Sequence, residues 1–168
     1  MTNDAINIAL AAFDASIAEN AEADGPWVAL QDLARSLVGA KLFTIMTVDM
    51  KNEVARREYT SDAKSYPVSG TKPIRYDRWF EIVHKQRKSF IANTIAEIAT
   101  VFPDHETIWS LGCGSVINIP VVVGGELLGT VNCLDEEHHY SPERVERSKH
   151  LAIPAKLALL AAHSHIRS

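Results

Sequence analysis

An α+β fold built on an antiparallel sheet is what the 168-residue chain predicts, and three observations carry that expectation. Residues 115–135 hold two apolar segments rich in β-branched residues, parted by Gly124-Gly125, which is the pattern of a β-hairpin. Helical periodicity marks both ends of the chain. Between them run two further strand-like segments, a short helix, a short strand and a helical stretch, an order that suits an antiparallel sheet with helices from the chain ends.

Each element has its own signal. Ile6, Leu10, Phe13 and Ile17 recur at helical spacing and predict a helix over 3–19, with Asn3 or Asp4 able to cap it. Asp24-Gly25-Pro26 breaks the chain. Trp27, Leu30, Ala34 and Leu37 then share one face of a second helix, which Gly39 stops. Lys41–Asp49 is strand-like in its β-branched and aromatic content. Met50-Lys51-Asn52 turns it back into Glu53–Thr60. Residues 61–75 are loop, punctuated by Pro67, Gly70 and Pro73. A helix is predicted over Asp77–Lys88, a short strand over Phe90–Ala92, and a loop-and-helix region over 93–111. The hairpin strands are Ser115–Val123 and Glu126–Asp135. Ser141, Pro142 and Glu143 open a long final helix reaching about Ile166, which Pro154 should kink by removing a backbone donor.

Both hairpin strands are apolar on both faces, so each side of the sheet needs cover. The terminal helices are expected on one face. The short helices and loops between Asp77 and Leu111 are expected on the other, where a pocket forms most easily. Which face carries the pocket is left open. The length suits one domain over 1–168.

The totals narrow the function. Apolar residues make up 46% and charged residues 23%, as in an ordinary globular protein. The net charge of −4 and the lack of a basic cluster argue against nucleic acid or an anionic membrane surface as partner. Gly124-Gly125, Pro120 and Glu126 interrupt the apolar run too soon for a membrane span. The N-terminus lacks the pattern of a secretory signal, and two cysteines fit a reducing cytoplasm.

The stretch GSVINIPVVVGGELLGTVNCLDEE, followed by HYSPERVE at the start of the last helix, resembles the GAF domain, a small-molecule sensing module of signalling proteins. Gly114 and Ser115 enter the first strand, Pro120 lies within it, Gly124-Gly125 turns it, and Gly129 sits in the returning strand. The element order matches along nearly the whole chain. The resemblance implies a GAF-like sheet and a sensory or regulatory domain binding a small organic ligand, with no cofactor. The Asn-Lys-Phe-Asp-Glu run of cyclic-nucleotide-binding members is absent, and Cys113 lacks the surroundings of bilin-anchoring cysteines. Free methionine sulfoxide reductases of this family are of about this length and use lid cysteines, usually three. This chain has two, and Cys133 falls in a strand. A thiol-dependent reductase in which Cys113 attacks is therefore the alternative reading, and a purely structural dimerisation module the third.

The candidate ligand-binding residues are Trp79, Phe102, His105, Trp109, Cys113, Ser115, Ile117, Thr130 and Asn132. Trp79, Phe102 and Trp109 lie in the segments that should cap the sheet, where they either line a pocket or pack in the core. His105 faces the same cavity or solvent. A two-residue turn at Gly124-Gly125 would set Cys133 opposite Val116 and Asn132 opposite Ile117. Ser115, Thr130 and Asn132 would then share a face with Ile117, Ile119 and Val121, an apolar floor with a few polar handles. In that register Cys113 and Cys133 point to opposite faces, which disfavours a disulfide. Cys113 sits between glycines, a setting for a reactive thiol or for simple burial. Asp135 to His139 reads as a solvated turn, with no spaced second set of ligands for a metal.

Leu151, Ile153, Leu157, Leu159, Leu160 and Ile166 spread around much of the final helix, which suggests packing on two partners. A homodimer through the N- and C-terminal helices is expected, with a separate signalling partner to receive the output.

Overall fold

The computed structural model describes residues 1–167. They form two compact units, one made of residues 1–39 with the chain from Glu143 onward, the other of Ala40–Pro142.

The first unit is helical. Helix α1 spans Asn3–Glu19, and Thr2 rather than Asn3 or Asp4 caps it, its hydroxyl accepting the Ala5 N–H at 3.2 Å. Helix α2 spans Gly25–Leu37, with Pro26 in its first turn where a missing N–H costs nothing. Its last carbonyls are met by cations: Arg144 donates to the Val38 carbonyl at 2.9 Å and Arg147 to Leu37 at 2.7 Å.

The final helix is not continuous. Helix α6, Pro142–Ser148, tightens into a 3₁₀ turn over Lys149–Leu151 before α7, Ala152–Arg167. The expected kink at Pro154 is thus taken up one turn earlier. Pro154 offers no N–H to the carbonyl of His150, four residues back, and that carbonyl lies within the 3₁₀ turn. Leu151 and Leu159 are buried, while Ile153, Leu157 and Leu160 are exposed. The side chain of Ile166 lies outside the described residues.

The second unit carries a six-stranded antiparallel sheet in the order β3-β2-β1-β6-β5-β4. Strand β1 is Leu42–Asp49 and β2 is Val54–Thr60. Strand β3, Lys72–Pro73, lies inside the segment expected to be all loop. Strand β4 is Phe90–Ala92, β5 is Ser115–Val123 and β6 is Glu126–Asp135, each with the expected bounds. Both edges are very short strands, and one ends in proline, which leaves little open backbone to template further pairing. Helices α4, Ile95–Ala99, and α5, His105–Ser110, fill the loop-and-helix region.

Asp77–Lys88 departs from a plain helix. Helix α3 is only Arg78–Phe80, capped by the Asp77 carboxylate, and then widens to a π-helical turn over Glu81–Lys85. There the Gln86 N–H reaches back five residues to Glu81 at 3.0 Å. Arg87, at φ 56, ends the turn.

The hairpin turns at Gly124-Gly125 as expected, both at positive φ (60° and 83°), and Val123 pairs with Glu126. The register then changes. A bulge sets Val122 against Leu127 but Val121 against Gly129, so Leu128 is the extra residue. Every later pair moves by one: Cys133 faces Ile117 rather than Val116, and Asn132 faces Asn118 rather than Ile117. Because side chains alternate across a strand, Val116, Asn118, Thr130, Asn132 and Leu134 share one face, and Ser115, Ile117, Val131 and Cys133 the other.

The first of these faces carries the core of the unit. Leu42, Phe90, Ala92, Val116 and Leu134 pack with Val83, Ile98, Val101 and Ile108 from the covering segments.

At Gly129 the backbone of β1 leaves no room for a side chain. A Cβ there would stand 2.1 Å from the Met46 carbonyl oxygen. Gly129→Ala is expected to cost at least about 3 kcal/mol, the upper range for overpacking, as measured by urea unfolding. Gly124→Ala meets nothing within 4 Å and is strained only by its φ, so it should cost about 1 kcal/mol.

Candidate functional site

A cavity of about 260 Å³ lies in the second unit. Met46 and Val48 of β1, Met50 of the following turn, Ala55 of β2 and Leu127 of β6 form its floor. Trp79, Phe80 and His84 supply one wall, Phe102 and Pro103 another, and Lys72 to Arg75 belong to its rim. Met46 pairs with Thr130 and so lies on the sheet face of Asn118 and Asn132, which is therefore the pocket face.

Of the sequence-predicted site residues, Trp79 and Phe102 line this cavity. Thr130 and Asn132 lie on the same sheet face but are buried beneath it. Ser115 and Ile117 point to the opposite face, because the bulge at Leu128 shifts the register by one. Ser115 is spent on the backbone, donating to the Glu136 carbonyl at 2.6 Å. Trp109 is exposed on α5. His105 sits 3.0 Å through Nδ1 from the Phe102 carbonyl, which only accepts, so that nitrogen carries the proton.

Cys113 is buried in the core with its thiol pushed up to about 11, first by burial and then by the charge of Asp135. Burial and Asp135 push Cys133 up to about 12. Both are free thiols, and neither lines the cavity. The run from Asp135 to His139 is engaged with backbone: Glu137 accepts the Ile95 N–H at 3.0 Å and Asp135 accepts that of Glu136 at 2.8 Å. No cluster of three or more metal-ligating groups occurs among the described residues.

A polar relay fixes the wall to the floor. Trp79 Nε1 donates to Asn118 Oδ1 at 2.9 Å, Asn118 Nδ2 to Asn132 Oδ1 at 2.8 Å, and Asn132 Nδ2 to Thr44 Oγ1 at 3.1 Å. Each buried amide thereby has a partner, as burial demands. His84 stacks on Phe80 with ring centres 4.5 Å apart, and its Nδ1 is buried with no hydrogen-bond partner among the described residues. Burial, helped by the charges of Arg87 and Lys85, lowers its pKa from the ordinary 6.5, which favours the neutral ring.

A second fastening joins the loops at the mouth. Tyr66 donates to Asp104 Oδ2 at 2.5 Å, and the Arg57 guanidinium lies 3.6 Å above the Tyr66 ring. Arg57 also donates to the Pro67 carbonyl at 2.7 Å. Burial and Asp104 together push the Tyr66 phenol above its usual range.

Most of the cavity lining escapes the sequence analysis. Met46, Met50, Ala55 and Leu127 read simply as strand and turn residues, and Lys72–Arg75 as loop punctuation. One usable signal was present: two of the three methionines fall in one strand and its turn, and methionine suits adaptable binding surfaces.

The model of the GAF domain family matches residues 28–159. Among solved structures, the chain is similar to the GAF domain from an Acinetobacter phosphoenolpyruvate-protein phosphotransferase, with 11% identity, full coverage of both chains and a TM-score of 0.70. It is also similar to the phycoerythrobilin-bound GAF domain of a cyanobacterial phytochrome (16% identity, 95% of this chain and 97% of that one, TM-score 0.69). A third likeness is to free methionine-R-sulfoxide reductase from Neisseria meningitidis in complex with its substrate (13%, 98% and 95%, 0.63). No curated protein matches the chain.

Substituting Asn118 by Leu would strand the Trp79 N–H and one acceptor of Asn132. Asn118→Leu should lower stability by about 2–3 kcal/mol in urea unfolding, as expected for buried groups left unpaired.

Proposed function

The chain belongs to the GAF domain family, and from that premise we propose that it is a sensory or regulatory domain whose ligand is a small organic molecule held in the cavity beside Trp79. The observation that carries this reading is the cavity itself, a concave space with apolar floor and walls and a few polar groups. Two structural neighbours hold a small molecule, one a bilin and one its substrate, which supports the capacity of the fold for such ligands. The match over 28–159 draws on both compact units, which favours treating 1–168 as one domain.

The mechanism is a shift of population. The walls come from short elements: α3 with its π turn, and the loops at 61–77 and 101–104. A ligand that favours one packing of these segments favours that state of the whole. The output passes to a second copy and to a separate signalling protein. Exposed Ile8 on α1, with exposed Ile153, Leu157 and Leu160 on α7, supports a homodimer through the terminal helices. The unpaired thiols fit a cytoplasmic setting. No helix among the described residues is long and apolar enough to cross a membrane.

The reductase reading is weaker. It needs a thiolate beside the substrate, whereas both thiols are buried, held protonated at neutral pH and absent from the cavity lining.

Native mass spectrometry of the freshly purified protein is expected to find a co-purifying small molecule. Ala55→Trp, which fills the cavity, should lack it; the same adduct on both would refute the pocket. Sedimentation at micromolar concentration should give a dimer, and the pair Ile153→Glu with Leu157→Glu a monomer. A monomeric wild type removes the helical interface.

A further inference from the structure

The charges bordering the cavity narrow the class of ligand. Two carboxylates line it, and both are engaged within the protein. Asp104 accepts the Tyr66 hydroxyl at 2.5 Å and lies 3.9 Å from Arg57. Asp77 caps α3, accepting the Phe80 N–H at 3.0 Å.

The lining cations divide differently. Arg56 is matched bidentately by Glu58 at 2.5 and 2.7 Å. Arg57 is held by Tyr66, Asp104 and the Pro67 carbonyl. Lys72 pairs with Ala55 through its backbone, and its ammonium has no hydrogen-bond or ion-pair partner among the described residues. Arg75 is mostly exposed and only 4.0 Å from Asp77, a carboxylate already serving as a cap. The rim segment therefore presents two cations with charge to spare beside an apolar space, where the lowered local dielectric strengthens their pull on an anion.

The walls speak to shape. Trp79, Phe80 and Phe102 border the cavity, and rings pack best by offset stacking or edge-to-face contact with other rings. We propose that the cavity takes a small organic anion with a flat ring body, its rings against Trp79, Phe80 and Phe102 and its acid group at Lys72 and Arg75. This rests on the small-molecule reading of the same cavity. It adds the charge and the shape of what enters.

A matched pair of fluorescent probes tests it. Anilinonaphthalene sulfonate and phenylnaphthylamine share one ring system, and only the first carries a negative group. Both are expected to bind the wild-type protein and to lose binding in Ala55→Trp, with Val48→Trp as the second cavity-filling variant should the first fail to fold. The pair Lys72→Gln with Arg75→Gln, both exposed, should weaken the sulfonate about tenfold, while the neutral probe changes less than twofold. Raising salt should weaken the sulfonate alone. If the glutamine variants shift both probes equally, or neither, the anion proposal falls while the pocket stands. If cavity filling leaves the neutral probe bound as in wild type, the small-molecule reading itself falls.

Discussion

Two amides facing each other across the central strands hold this structure to one arrangement. Asn118 and Asn132 are buried, and each must satisfy a carbonyl and an amino group far from water. They do so through each other, at 2.8 Å, and through Trp79 and Thr44 on either side. A slip of one residue between β5 and β6 would separate them and turn the faces of one strand over relative to the other. The requirement thus selects the register that the bulge at Leu128 creates. Because Trp79 hangs from the same chain of hydrogen bonds, the position of the cavity wall follows from the pairing of the sheet.

What surrounds the cavity is a division of labour between fastened and unfastened groups. Arg57, Tyr66 and Asp104 tie the loops of the mouth together and consume one another's charge. Lys72 and Arg75 take no comparable part. A rim closed by its own ion pairs would offer a ligand only apolar contact. The surplus here leaves an electrostatic handle where the wall is otherwise greasy.

Five of the six strands, the terminal helices and the family were legible in the sequence because each rests on local signals: alternation, helical spacing, a glycine pair; the two-residue β3 carries none and reads as loop. Strand β4 and both hairpin strands have the expected bounds. The candidate site was legible only in part. Trp79 and Phe102 line the cavity, but Ser115 and Ile117 sit on the wrong face for it. One bulged residue accounts for that error, since the glycine turn alone sets a register that Leu128 then shifts. The bulge is demanded by Asn118 and Asn132 meeting, a contact between residues 14 positions apart that no local pattern reveals. The rim was missed for a related reason. Residues 61–77 have no periodicity, and contacts distant in sequence give them their place: β3 pairs with β2, Arg57 holds the Pro67 carbonyl, and Tyr66 is fastened to Asp104.

The π turn at Glu81–Lys85 has a consequence for how such a wall changes over time. A π turn is an α-helical turn carrying one residue more than it needs, and each helical residue turns the chain by about 100°. Losing a single codon there would restore an ordinary helix and swing whatever precedes or follows it to a new bearing. Phe80, just before that turn, and His84, within it, stack at the cavity. Lineages could therefore exchange one recognition surface for another in a single insertion or deletion, with the sheet beneath left untouched.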